Sequence, residues 1–326
     1  MNPSKLKRST YHPTRVTVAI LVHIPHLTGY FTGRWQVLNA CLESLRLNTT
    51  MEYDLLVFDN SSCPEIGDYL AQRQADGWIE FLLRSRVNLG KQAALRLIFR
   101  VAPGELVAYA DDDFYFEPGW LTEQVALFDA FPNAGMISGY VIPSFFDPAR
   151  ISATLAFAER EEVSIIQGRF TSDQHLQDWA VSTGRTPEQA VQEIGQSVEV
   201  VLEYQGRQAF AAANHDQFLA PKQAILEALP PEWSGRLMGG MIEMDQAVNQ
   251  LGYLRLATRQ RTTRHLGNRL DPSLAERFRF DPTPGVRVGG GTEKPGGLWR
   301  RFLLWSPIRT LLLGLYSRLF RWINPE

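Results

Sequence analysis

Between residues 16 and 142 the chain alternates short apolar runs with stretches of helical spacing, and that alternation restricts the fold more than any other feature. Residues 16–22 are a β-branched run and read as a buried strand, 35–47 carry apolar positions at helical spacing, and 53–59, YDLLVFD, read as a second strand. Residues 64–75 form a helix with Pro64 in its first turn and Gly77 beyond its end. Strands follow over 78–83, 106–110 and 135–142, with helices over 91–101 and 118–131 between them. Strands and helices joined by short connections predict an α/β fold: a mostly parallel sheet covered by helices on both faces. Such sheets bind ligands outside the carboxyl ends of their strands. Asp59 ends one strand and Asp111 another, so two acidic side chains fall on the edge where this architecture puts chemistry.

The rest of the chain is less regular. Stretches of 151–207 carry helical spacing and read as a helical insertion or lid within a domain spanning 16–280. A strand is expected across AFAAANHDQFLA, a helix over PKQAILEAL, a helix start at EMDQAVNQLGY and a strand at LRLAT. Residues 1–15 are a basic extension with no apolar segment behind them, which argues against a signal peptide. Residues 281–297 form a Pro/Gly linker. In 298–326, Trp299, Trp305 and Trp322 stand among leucines and arginines, and Pro307 and Arg309 interrupt the apolar run. That pattern predicts short amphipathic helices that lie on a membrane surface or pack on protein. It suggests a cytoplasmic protein held peripherally at the inner face of the plasma membrane. A net charge of -2 gives no argument for nucleic acid, and two cysteines, Cys41 and Cys63, fit a reducing compartment.

Residues 109–120, YADDDFYFEPGW, set three carboxylates directly after an apolar strand. Neighbouring like charges push one another toward protonation unless a positive group joins them. Consecutive side chains of an extended chain alternate, so Asp111 and Asp113 face one way and Asp112 the other. Mg2+ and Mn2+ commonly bind through one or two carboxylates plus phosphate oxygens, which suits a two-aspartate site carrying a diphosphate. The competing reading is a solvated, Asp-rich turn that caps the following helix.

In this order LLVFDNSS, NLGKQAALR, YADDDFYFEPGW, EMDQAVNQLGY and HLGN resemble the family-two glycosyltransferases of the GT-A fold, over residues 16–268. That family uses nucleotide-sugar donors. The resemblance implies a base or ribose contact at Asp59, for which a turn cap with Asn60, Ser61 and Ser62 is the alternative. It implies donor contacts at Asn88, Lys91 and Asp112, metal ligation by Asp111 and Asp113, and a metal or phosphate role for His265. The first strand departs from the family pattern, and His23 or Pro25 is expected to line the base pocket. The family's acceptor-side acidic pair is split here into Glu243 and Asp245; Asp245 is favoured as the catalytic base and Glu243 is second. Asn214 and His215 are candidate acceptor contacts.

The function expected from this resemblance is transfer of a sugar from a UDP-, GDP- or dTDP-linked donor, with Mn2+ or Mg2+ and inversion, to a glycan or lipid-linked acceptor in cell-surface glycan synthesis. Two rivals stand beside it: a catalytically inactive GT-A scaffold at a membrane, and a nucleotidyltransferase. The loop HIPHLTGYFTGR lacks the Gly-rich, basic run that nucleotidyl transfer usually brings.

Overall fold

The computed structural model describes residues 10–194, 198–230 and 240–278. The chain divides into two compact units, Met1–Arg287 and Val288–Glu326, and all described residues belong to the first. The expected linker and tail helices lie outside the described residues. Among those residues no helix is long and apolar enough to cross a membrane.

The opening half follows the expected alternation: β1 (Val16–Val22), α1 (Arg34–Asn48), β2 (Asp54–Asn60), α2 (Pro64–Ala75), β3 (Phe81–Ser85), α3 (Lys91–Val101) and β4 (Leu106–Asp111). These four strands pair in parallel in the order β3-β2-β1-β4. Every residue of β1 is buried, as expected of a strand covered on both faces. Its side chains alternate. Val16, Val18, Ile20 and Val22 pack with Trp35, Leu38 and Cys41 of α1, while Ala19 and Leu21 belong to the opposite layer with Ala94, Leu95 and Ile98 of α3. On that second face Phe99 stacks on Phe218 with ring centroids 5.9 Å apart, a geometry worth about 0.5–1.5 kcal/mol beyond area burial.

The chain continues through β5 (Phe114–Phe116), α4 (Trp120–Ala130), β6 (Ala134–Ser138), α5 (Pro148–Ala158), β7 (Ser164–Gly168), α6 (Asp173–Ser182), α7 (Pro187–Ile194), β8 (Glu199–Tyr204), β9 (Arg207–Phe210) and β10 (Gln217–Pro221). It then forms α8 (Lys222–Ala228), α9 (Met241–Gln250), β11 (Leu254–Thr258), β12 (Thr263–His265) and α10 (Pro272–Arg277). The large sheet runs β3-β2-β1-β4-β10-β6-β11-β9-β8-β7, and β12 pairs with β5 in a small second sheet. Beyond β4 the pairing is antiparallel, apart from β6 beside β11, so the sheet is mixed.

Residues 151–207 contain strands as well as helices, and β7 and β8 extend the sheet. Glu199 anchors this region: its buried Oε2 accepts the backbone N–H groups of Phe170 and Thr171, each at 2.8 Å. The strand expected from Ala209 to Ala220 is broken in two. β9 pairs with β8 and β11, β10 pairs with β4 and β6, and residues 211–216 make the passage between them.

Candidate active site

β1, β2 and β4 end side by side, and a cavity of about 370 Å³ opens at that edge. His23 follows β1 and ties the edge together. Its Nδ1 lies 2.9 Å from the carbonyl of Asn60, and its Nε2 lies 3.0 Å from Asn88 Nδ2. With an acceptor at Nδ1 and a donor at Nε2, the ring carries its proton on Nδ1. Asn60 donates to Asn88 Oδ1 at 3.0 Å and accepts from the Leu89 N–H at 2.9 Å. Gly90 has φ +76, which a side chain would strain, and this turn delivers Lys91 as the first residue of α3. His23, Asn60, Asn88 and Lys91 all line the cavity.

The three aspartates line the same cavity. Lys91 Nζ donates to Asp111 Oδ2 at 2.7 Å and to Asp216 Oδ1 at 3.1 Å, and Tyr109 Oη donates to Asp111 Oδ1 at 2.5 Å. Arg34, the buried first residue of α1, forks between the other two carboxylates. Its Nη1 is 2.7 Å from Asp113 Oδ2, and its Nη2 donates to Asp112. Burial raises the Asp111 carboxyl, with Lys91 opposing and Asp216 and Asp113 adding repulsion. Burial pushes Asp112 up to about 7 although Arg34 offsets part of the cost. Burial works against the charge on Asp113 too, but His265 and Arg34 outweigh it and hold that carboxyl well below the usual range. For Lys91 burial is likewise outweighed, by Asp111 and Asp216, and the ammonium is held well above its ordinary value.

The second half contributes from the far side of β4. The Asp111 N–H donates to the Asp216 carbonyl at 3.0 Å, which brings residues 214–216 beside the triplet. Asn214 is fully buried and accepts the Asp216 N–H at 3.1 Å, so it shapes this turn. Burial opposes the charge on Asp216, yet Lys91, His215 and His265 hold its carboxyl low. His265 Nε2 stands 3.5 Å from Asp113 Oδ2, and its Nδ1 is 2.7 Å from Ser182 Oγ at the end of α6. The inserted region thus reaches the aspartates through one imidazole. Burial opposes the His265 charge, but Asp113 overrides it and raises the ring's pKa.

Several residues named from the sequence sit elsewhere. Asp59 is buried, accepts the Ser62 N–H at 2.9 Å and pairs with Arg84 at 3.3 Å, the geometry of the turn-cap alternative. Pro25 and Glu243 are exposed, and neither lines the cavity. Asp245 is 1% exposed and sits under His215 against Arg255. Two residues the sequence did not single out complete the cluster, Arg34 and Asp216. The signal for Asp216 was the polar triplet 214–216 inside an apolar run. Arg34 carried none, because its partners lie 78 and 79 residues away.

Residues 30–144 match the family Glycosyl transferase family 2. The match takes in Arg34, Asn88, Lys91 and the whole aspartate triplet, and over those residues it bears out the resemblance. No curated protein sequence matches the chain. Among solved structures it resembles TarS 1-349 from S. aureus in complex with UDP-GlcNAc, at 15% identity and TM-score 0.31 over 38% of this chain and 34% of that one. It also resembles the mannosyltransferase PcManGT from Pyrobaculum calidifontis in complex with GDP-Man and Mn2+, at 17% identity and TM-score 0.44 over 78% and 59%. A third is GalNAc-T7 with UDP, GalNAc and Mn2+, at 13% identity and TM-score 0.47 over 78% and 45%. The chain spans about a third of the length of the TarS 1-349 structures it matches.

Proposed function

We propose that the chain transfers a sugar from a UDP-, GDP- or dTDP-linked donor to an acceptor hydroxyl, with inversion at the anomeric carbon. The observation that carries this reading is the convergence of Asp111, Asp112, Asp113, Lys91 and Arg34 on one cavity at the carboxyl ends of β1, β2 and β4, within the family-matched segment.

Among the described residues no three acidic, His or Cys side chains are gathered to hold a metal ion by themselves, so a divalent cation would bind through two carboxylates together with the donor diphosphate. Four carboxylates, Asp111, Asp112, Asp113 and Asp216, crowd around two cationic side chains, Lys91 and Arg34. Asp112 Oδ2 is buried without a hydrogen-bond partner. An all-oxygen donor set suits Mn2+ or Mg2+, with diphosphate and water filling the remaining positions. Asp111 and Asp113 would hold the ion, with His265 beside Asp113. When bound, the ion offsets the negative charge that grows on the leaving diphosphate. Lys91, in the first turn of α3, supplies a second positive charge for that group, and the helix N-terminus favours an anion there. The network of His23, Asn60 and Asn88 fixes the cavity wall where the nucleotide would lie.

A glycan or lipid-linked acceptor fits the composition of residues 298–326, whose Trp and Arg content suits peripheral contact with an anionic membrane. Co-sedimentation with anionic vesicles tests that part: removal of the tail is expected to release the protein, and unchanged binding refutes it. The central test measures nucleotide release from UDP-, GDP- and dTDP-sugars, with and without Mn2+. One nucleotide class is expected to be released in a cation-dependent way, and Asp113→Ala is expected to slow it at least about 10²-fold. Undiminished release by Asp113→Ala removes the reading.

A further inference from the structure

Asp245 is enclosed on every side where its oxygens point. Arg255 Nη2 lies 2.8 Å from Oδ1, and Arg150 Nη1 and His215 Nδ1 lie 3.8 and 2.9 Å from Oδ2. At 1% exposure it offers no surface to an acceptor hydroxyl. His215 does. It stands in the passage between β9 and β10 with 18% of its side chain exposed, and its two ring nitrogens face opposite ways. Nδ1 meets Asp245. Nε2 is 3.4 Å from Asp216 Oδ1, longer than a good hydrogen bond. Asp216 is already engaged by Lys91, which lines the aspartate cavity. A buried carboxylate behind a partly exposed imidazole is the arrangement that orients a general base, and here Asp216 and Lys91 connect the second nitrogen to the edge of the aspartate cavity.

We infer that His215 takes the proton of the acceptor hydroxyl on Nε2, and that Asp245 is a positioning residue that holds the imidazole with its other proton on Nδ1. This rests on the glycosyl-transfer reading above. The acceptor oxygen bonds to the anomeric carbon as its proton passes to Nε2. The bond from that carbon to the diphosphate oxygen breaks, and its electron pair leaves on the diphosphate. The imidazolium then lies between Asp245 and Asp216 until it returns the proton to water. The charged groups around it are Asp216 on its own loop, Asp245 of α9, Arg255 of β11 and Arg150 of α5 behind Asp245, and Lys91 of α3 and Asp111 of β4 beyond Asp216.

The test uses the full chain with Mn2+ and whichever of UDP-glucose, GDP-mannose and dTDP-glucose the wild type hydrolyses, with water as acceptor. His215→Gln is expected to lower the rate by about 10²–10⁴-fold while calorimetry gives an unchanged donor affinity. Added imidazole is expected to restore part of the rate to His215→Gly, which leaves room for it, and none to His215→Gln. Asp245→Asn is expected to lower kcat with the donor KM unchanged, and Asp245→Glu to restore part of it. If Asp245→Asn does not fold, with Arg255 left unpaired, the His215 variants decide alone. Wild-type turnover by His215→Gln, or loss of donor affinity along with rate, overturns the inference. A wild type that neither binds nor hydrolyses any of the three sugars removes the glycosyl-transfer reading itself, and this inference with it.

Discussion

On the β1–β4 side of the sheet, Lys91 pairs with Asp111 and Asp216, which keep 25% and 32% of their side-chain surface; on the β11 side, Arg255, with none exposed, pairs with Asp245 at 1%. Both are ion pairs in a largely apolar frame, but they answer differently to a ligand. The first has carboxylates that water, a cation or a phosphate-bearing partner can reach. The second is closed and serves to hold α9, β11 and the passage before β10 in place. An acidic residue near a sheet edge therefore says little until its accessibility is known. Asp245, favoured from its motif, falls in the closed group, and Asp216, which no motif marked, falls in the open one.

That contrast breaks most visibly in stability measurements. Arg255→Met leaves a buried carboxylate without its nearest counter-charge, with Arg150 remaining at 3.8 Å, and is expected to cost about 3–5 kcal/mol in denaturant unfolding. A loss below about 1 kcal/mol would put Asp245 in the range of exposed pairs. Asp59→Ala removes a charged acceptor from the Ser62 N–H and a partner from Arg84, with an expected loss of about 1.5–3 kcal/mol and unchanged donor affinity. A fall in donor affinity would restore the nucleotide contact expected from the motif. Lys91→Met is expected to cost less stability than Arg255→Met, because Asp111 and Asp216 keep contact with water, while donor turnover collapses.

A further test concerns pH. His175, in α6, is held down to about 3 by burial and by the charge of Arg261. The unfolded chain takes up that proton below about pH 6.5 and the folded chain does not. Stability therefore falls as pH drops from about 6.5 toward 3. His175→Gln is expected to flatten this limb in thermal melts, and an unchanged slope would show that His175 does not contribute to it.

The parallel half was legible because its strands are covered on both faces, so residues 16–22, 55–58 and 106–110 are almost wholly apolar and α3 carries a clear apolar stripe. β7 gave no such signal: four of its five residues are exposed at the sheet edge, and nothing forces a two-residue alternation on them. β8 was absorbed into the helical pattern of α7 before it. In the site, Asn88, Lys91 and the aspartates were legible because the turns at Gly90 and after β4 are local. Arg34, Asp216 and the pairing of His215 with Asp245 were not, since each depends on contacts between segments far apart in the chain.

The most direct measurement is a calorimetric titration of the protein with UDP-, GDP- and dTDP-sugars, in Mn2+ and in EDTA, repeated with Asp111→Asn. One nucleotide class is expected to bind only with the cation, and Asp111→Asn is expected to abolish that dependence together with the binding. Equal affinity in EDTA, or full cation-dependent binding by Asp111→Asn, would contradict a donor site built on the aspartate triplet.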